Sequence, residues 1–135
     1  MNIREYKSSD RKAIFHINRE NQYFNAPNFQ KYFNKEFDKH VAVIDKLIGW
    51  LVIEPKKFYV EYIVVDPDHL GKGIGTALLA YAEVLAKKKG FSETTLDTLS
   101  DNIRAQGFYE YMGYVKTSEW TNQFGEGMYG YKKSL

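Results

Sequence analysis

At 135 residues, with 44% apolar and 16% aromatic side chains, the chain has the size and composition of one folded domain, 1–135, and not of a disordered segment. It has no cysteine, which excludes disulfides, thiolate metal ligands and a cysteine nucleophile, and its three histidines, His16, His40 and His69, lack metal-ligand spacing, so no metal is expected. A net charge of +2 is too small to indicate nucleic acid, no apolar run approaches the roughly 18 residues of a membrane span, and the first six residues lack an apolar leader core, so the expectation is a cytoplasmic protein with neither kind of partner.

Residues 2–6 alternate and predict a short strand. Ser8, Ser9 and Asp10 offer N-cap side chains for a helix with Ala13, Ile14 and Ile17 on one face. Phe29, Tyr32, Phe33 and Phe37 stand at helical spacing and predict a second, short helix over 28–37. Residues 41–44 and 47–53 are β-rich around Asp45-Lys46 and read as a hairpin. Residues 54–57 make the next turn, and 58–65 form a β-branched and aromatic strand that Asp66-Pro67-Asp68 ends. From 73 to 89 the pattern is helical, with Ile74, Ala77, Leu78, Tyr81, Ala82 and Leu85 at spacings of three and four. Lys87, Lys88 and Lys89 sit in the last turn and Gly90 follows as the stop. Residues 94–97 read as a strand, 102–112 as a helix ended by Gly113, and 114–117 and 128–131 as a closing hairpin around Gly125-Glu126-Gly127. The order β-α-α-β-β-β-α-β-α-β-β is an α/β mixture with antiparallel and parallel pairs, without the regular alternation of a doubly wound fold.

The strand–turn–helix at 63–76 carries the chemistry. Gly71-Lys72-Gly73-Ile74-Gly75-Thr76 places three alternate glycines where a strand passes into a helix. Glycine allows positive φ and close ligand approach, and successive N–H groups with the helix dipole make a phosphate cradle from backbone alone. The spacing G-x-G-x-G is one residue short of the dinucleotide fingerprint, and Lys72 is followed by Gly73, unlike the triphosphate loop. A plain strand-to-helix connection without ligand is the remaining reading of the glycines by themselves.

This segment resembles the signature of the GNAT superfamily of N-acetyltransferases, a strand followed by Arg/Gln-x-x-Gly-x-Gly/Ala and a helix. A second block, Asn102-Ile103-Arg104-Ala105-Gln106-Gly107-Phe108-Tyr109-Glu110-Tyr111-Met112-Gly113-Tyr114, resembles the family's Asn-x-x-Ala-x-x-x-Tyr-x-x-x-Gly-Phe/Tyr. The resemblance implies a GNAT-like mixed central sheet with antiparallel N-terminal strands and acetyl-CoA as acyl donor. It implies a cofactor site of Ile63, Val64, Val65, Leu70, Gly71, Lys72, Gly73, Ile74, Gly75, Thr76, Asn102, Ala105 and Tyr109. One departure stands out: Leu70 or His69 occupies the place of the usual Arg or Gln, so the pyrophosphate is held mainly by backbone N–H groups.

The resemblance further implies direct attack by a primary amine in a ternary complex. Tyr109 is then the acid that meets the leaving thiolate, and Glu61 the general base; by alternation Glu61 would share a face with Ile63 and Val65, and Asp97 is the reserve base. A bulge near residues 63–65 is expected to free a backbone N–H for the oxyanion. Each residue has a plainer reading: Tyr109 as core, Glu61 as a paired carboxylate, Asn102 as an N-cap, Arg104 as solvated. The acceptor, a small-molecule or peptide amine, would meet aromatic residues drawn from Tyr23, Phe24, Phe29, Tyr32, Phe33, Trp50, Tyr59, Trp120 and Phe124. Glu20, Glu36, Asp38 and Glu126 are candidates to attract a cation. Family members are often homodimers, and that expectation is carried here. The alternatives are a catalytically inactive acyl-CoA sensor and a nucleotide-binding regulatory domain.

Overall fold

The computed structural model describes residues 1–20 and 29–135. Seven strands lie among them: β1 (Asn2–Glu5), β2 (Asp38–Ile44), β3 (Lys46–Glu54), β4 (Tyr59–Val65), β5 (Glu93–Leu99), β6 (Val115–Thr121) and β7 (Gly127–Ser134). They form one sheet in the order β1-β2-β3-β4-β5-β7-β6. Neighbours are antiparallel except β4 and β5, which run parallel. The α-helices are α1 (Arg11–Glu20), α2 (Ile74–Lys88) and α3 (Ile103–Tyr111). The described helices include none long and apolar enough to cross a membrane.

The stretch expected as a second helix is a 3-10 helix over Phe29–Phe33, five residues long. So short a segment does not offset the cost of nucleating an α-helix, and its aromatic packing holds it instead. The first hairpin turns tightly at Asp45, whose φ is +57°. Gly90 and Gly113 end α2 and α3 at φ +87° and +94°, the left-handed conformation that a helix stop favours.

Two apolar layers sandwich the sheet. On one face α2 lays Ile74, Leu78, Leu79, Ala82 and Ala86 against Ile48, Leu51, Ile53 and Val60. On the other, Ile14 and Ile17 of α1 meet Val41, Trp50, Val52 and Val64. β3 is buried on both faces, which is why its sequence shows no alternation. At Gly49 a Cβ would lie 3.0 Å from the Val64 carbonyl oxygen and 3.2 Å from Leu78 Cδ1. Glycine there lets α2 settle onto the sheet.

β4 carries the irregularity that shapes the molecule. Val52 pairs with Tyr62 and Ile53 with Val60, so Glu61 is an extra residue without a partner on β3. The expected bulge near 63–65 is therefore corrected to Glu61. An extra residue reverses which face each later side chain meets. Val60, Ile63 and Val65 all pack on the α2 side, whereas Tyr62 and Val64 pack on the α1 side. Beyond the bulge β4 leaves β5: the parallel ladder contains only Tyr59↔Thr95 and Val60↔Leu96.

Gly49→Val should destabilise the fold by about 1–3 kcal/mol, the usual cost of overpacking. Urea unfolding checks this, and an unchanged midpoint would mean that α2 does not need the close approach.

Candidate active site

Where β4 and β5 part, a cleft of about 780 Å³ opens through the middle of the sheet. One wall is the glycine turn. The Asp66 amide donates to the Ile48 carbonyl at 2.7 Å, and its carboxylate accepts from the Asp68 amide at 3.1 Å. Pro67 opens a 3-10 turn over Pro67–His69, Leu70 is extended, and Gly71 and Gly73 take φ of +77° and +80°. A Cβ on either glycine would touch nothing within 4 Å, so it is the backbone conformation that calls for glycine. The first helical bond after the Gly73 cap runs from the Ala77 amide to the Gly73 carbonyl at 3.0 Å. The amides of Ile74, Gly75 and Thr76 precede it and have no acceptor within the helix. Leu70, Gly71, Gly73, Ile74, Gly75 and Thr76 all line the cleft, as does His69.

The facing wall is α3. Asn102 caps it by accepting from the Ala105 amide at 3.1 Å, and Gln106 Nε2 donates to the Leu99 and Ser100 carbonyls at 3.2 and 3.0 Å. These bonds fasten α3 to the end of β5. Asn102, Arg104, Ala105, Phe108 and Tyr109 line the cleft from this side. A Cβ on Gly75 would lie 3.5 Å from Phe108 Cζ, so the two walls meet there. The Tyr109 ring packs against Tyr114 and Tyr131, with centroids 6.1 and 5.9 Å away. Burial pushes its hydroxyl up to about 12. The phenol is therefore protonated at neutral pH, as a donor must be.

The far end of the cleft is lined by Tyr32, Tyr59, Glu61, Tyr62, Asp97, Trp120, Phe124 and Glu126, with Lys31 beside them. Tyr32 donates to Glu61 Oε2 at 3.4 Å, which puts Glu61 with the α1-side cluster. The expected shared face with Ile63 and Val65 is thus overturned, and the bulge at Glu61 is the reason. Desolvation raises the Glu61 carboxyl above the usual range, against the opposing pull of Lys31 and the Tyr32 hydrogen bond. Asp97 accepts from the Tyr59 hydroxyl in a very short hydrogen bond and from Trp120 Nε1 at 3.2 Å.

Two of the expected cofactor residues lie apart from the rest. The Val64 side chain is buried in the α1-side cluster, since the bulge turns it from the cleft, and Lys72 is exposed beyond the lining. Phe29, Phe33 and Trp50 also belong to that cluster and not to the cleft. Asp38 pairs with Lys89 at 3.0 Å, and Glu36 is exposed. Tyr23, Phe24 and the Glu20 side chain lie outside the described residues. Sequence reasoning missed Lys31, Tyr62, Thr98, Leu99, Phe108, Asn122, Gln123 and Met128 as lining; Phe108 was the most findable, being one turn from Ala105 on α3. Among the described residues, no group of three or more His, Asp or Glu is placed to hold a metal ion.

A raised carboxyl means that folding favours the protonated form. This stability is fully present below the unfolded-state value and is lost as pH rises through the folded one. Glu61→Gln should therefore raise Tm at pH 7.5 and change it little near pH 4. Equal shifts at both pH values would show that Glu61 is not held against desolvation.

Residues 4–114 match the Acetyltransferase (GNAT) family. Human N-acetyltransferase 8B is 33% identical over 67 residues, which is 50% of this chain and 30% of that protein. The uncharacterized protein YxbD of Bacillus subtilis is 34% identical over 70 residues, 52% of this chain and 44% of that one. The matched segments thus span less than half of these relatives. Among solved structures, the ribosomal-protein-S18-alanine N-acetyltransferase of Escherichia coli superposes with a TM-score of 0.83 at 19% identity, covering 99% of this chain and 93% of that one. A GNAT family acetyltransferase from Elizabethkingia anophelis with acetyl-CoA bound gives 0.82 at 17%, covering 99% and 97%. With a family match over most of its length and the family's fold throughout, the chain belongs to the GNAT family of acetyltransferases.

Proposed function

We propose that the protein transfers an acetyl group from acetyl-CoA to a primary amine by direct attack in a ternary complex. The observation that carries this reading is one continuous cleft that runs from the glycine turn, past Tyr109, to Glu61. The backbone of the turn suits an anion. Three N–H groups at a helix N-terminus, each bond to a charged acceptor contributing about 1.5–3 kcal/mol, outweigh the one side-chain donor that Leu70 lacks. Acetyl-CoA bound to the Elizabethkingia protein supports the choice of donor, and the Escherichia coli enzyme's name supports an amine acceptor.

Acetyl-CoA supplies an activated thioester carbonyl. The chain's own groups do the rest. The amine is mostly an ammonium at neutral pH, with a reference pKa of about 10.4, and must lose a proton before its lone pair can form the C–N bond. Glu61 takes that proton, and its desolvated carboxylate is a stronger base than an exposed one. Beyond Val60 the parallel ladder to β5 ends and the β4 backbone borders the cleft, where an amide can donate to the developing oxyanion. Tyr109 donates a hydrogen bond to the sulfur as the C–S bond breaks, and the second amine proton, released as the amide forms, goes to the thiolate, which leaves as a thiol. With its hydroxyl at about 12 and a thiol near 8.5, Tyr109 serves first as a hydrogen-bond donor, full proton transfer being uphill.

Three outcomes are expected. Acetyl-CoA at 100 times its Kd should stabilise the protein by about 2.7 kcal/mol, read as a Tm rise of several degrees, whereas ATP and NAD should not. Tyr109→Phe should lower kcat about 100-fold with acetyl-CoA affinity nearly intact. Glu61→Gln should remove the acid limb of the kcat/KM profile, whose midpoint in the native enzyme lies above the usual carboxylate range because burial raises it. Thiol release with an amine panel checks both variants. Acetyl-CoA binding without thiol release from any amine would favour the sensor reading, which Leu70 keeps open.

A further inference from the structure

Asp97 is a partly buried carboxylate in the cleft whose two oxygens are held by neutral donors, the Tyr59 hydroxyl on Oδ2 and the Trp120 indole on Oδ1 at 3.2 Å. No Lys, Arg or His of the described residues lies within ion-pair distance of it, unlike Asp10, Asp66 or Asp38. Its charge is thus presented to the cleft without compensation. Glu61 differs, since Lys31 attracts it. Each Asp97 oxygen accepts a hydrogen bond, so the carboxylate is fixed in place where it borders the cleft.

The arrangement requires a side chain to cross a whole strand. Trp120 lies on β6, the sheet edge, and Asp97 on β5, with β7 between them. Gly130 of β7 is in register with both Asp97 and Ser118. A Cβ at Gly130 would lie 2.8 Å from Asp97 Oδ1 and would collide with Ser118 Oγ. Glycine leaves open the space beside Asp97 that the indole N–H reaches. Trp120 remains 44% exposed, a large aromatic surface bordering the cleft next to a carboxylate. Trp is the strongest cation-binding ring, and an adjacent carboxylate adds to its attraction.

We propose that Asp97, Trp120 and Tyr59 form a subsite for a second cationic group on the acceptor. The substrate class is then a primary amine that carries an ammonium or guanidinium a short chain away from the nitrogen acetylated beside Glu61. This rests on the acetyl-transfer reading for its reacting end only. Lys31 and the carboxylate of Glu126 also line this end; Glu126 is bonded to Asn122 at 3.1 Å, and Lys31 lies over the Tyr32 ring at 5.0 Å.

The test compares butylamine with 1,4-diaminobutane, and with a short peptide whose free amino terminus is followed by arginine. Steady-state kinetics and calorimetric binding to the protein saturated with coenzyme A are both measured. The native enzyme should prefer a dicationic acceptor by about tenfold in kcat/KM, through KM. The better of the two dications identifies a small diamine or a basic peptide as the source. Asp97→Asn should reduce the preference to within about twofold, and Trp120→Phe, on an exposed edge where folding is not at stake, should reduce it in part. A ratio that both variants leave unchanged, or a native enzyme with no preference for either dication, overturns the subsite. If no amine is acetylated yet 1,4-diaminobutane binds in an Asp97-dependent way, the subsite stands and acetyl transfer falls.

Discussion

Parallel pairing between β4 and β5 stops after two residue pairs, and the site follows from that interruption. A sheet interior that opens exposes backbone N–H and C=O groups that water or a ligand must satisfy. The interruption coincides with the extra residue at Glu61, which bends β4 away and twists it further. The same residue reverses the side-chain alternation. Ile63 and Val65 thereby line the cleft while packing on the α2 side, and Glu61 joins Tyr32 on the α1 side. One inserted residue supplies the opening, the exposed edge and the division between the two ends.

Packing and capping hold the walls of the cleft in place. α2 is seated by Gly49 and a continuous apolar face, and α3 is pinned at its start by Asn102 and Gln106. α3 has no fully buried residue, and it holds its place through partly buried Phe108, Tyr109 and Met112. The desolvated interior then acts on the two candidate proton carriers in the same direction. It raises Tyr109, which keeps the donor protonated, and it raises Glu61, which makes its carboxylate more basic. A shared environment thus suits opposite roles.

Features that depend on backbone conformation were legible in the chain. Gly71 and Gly73 take positive φ where a phosphate cradle was expected, Asn102 caps α3, and Gly90 and Gly113 end their helices. The sheet's hairpins also follow their apolar patterns. Features that depend on register were not legible. Nothing in Val60-Glu61-Tyr62 marks a bulge, because no glycine or proline is needed there, so Val64 read as a cleft residue and Glu61 as a neighbour of Ile63. The face of α2 was legible in Ile74, Leu78, Tyr81, Ala82 and Leu85, which are buried in or pack on the core, but Leu79 and Ala86 join it as fully buried residues beyond the expected set. The contact from Trp120 to Asp97 spans 23 residues of sequence and an intervening strand, and its permissive residue, Gly130, looks like any strand glycine until the register is known.

A crystal structure with coenzyme A would decide whether the cleft between β4 and β5 is the donor site. The pyrophosphate should lie within hydrogen-bonding distance of the amides in the turn from Gly71 to Thr76, the pantetheine arm between β4 and β5, and the sulfur beside the Tyr109 hydroxyl. Coenzyme A bound elsewhere, or with its sulfur out of reach of Tyr109, would contradict this placement.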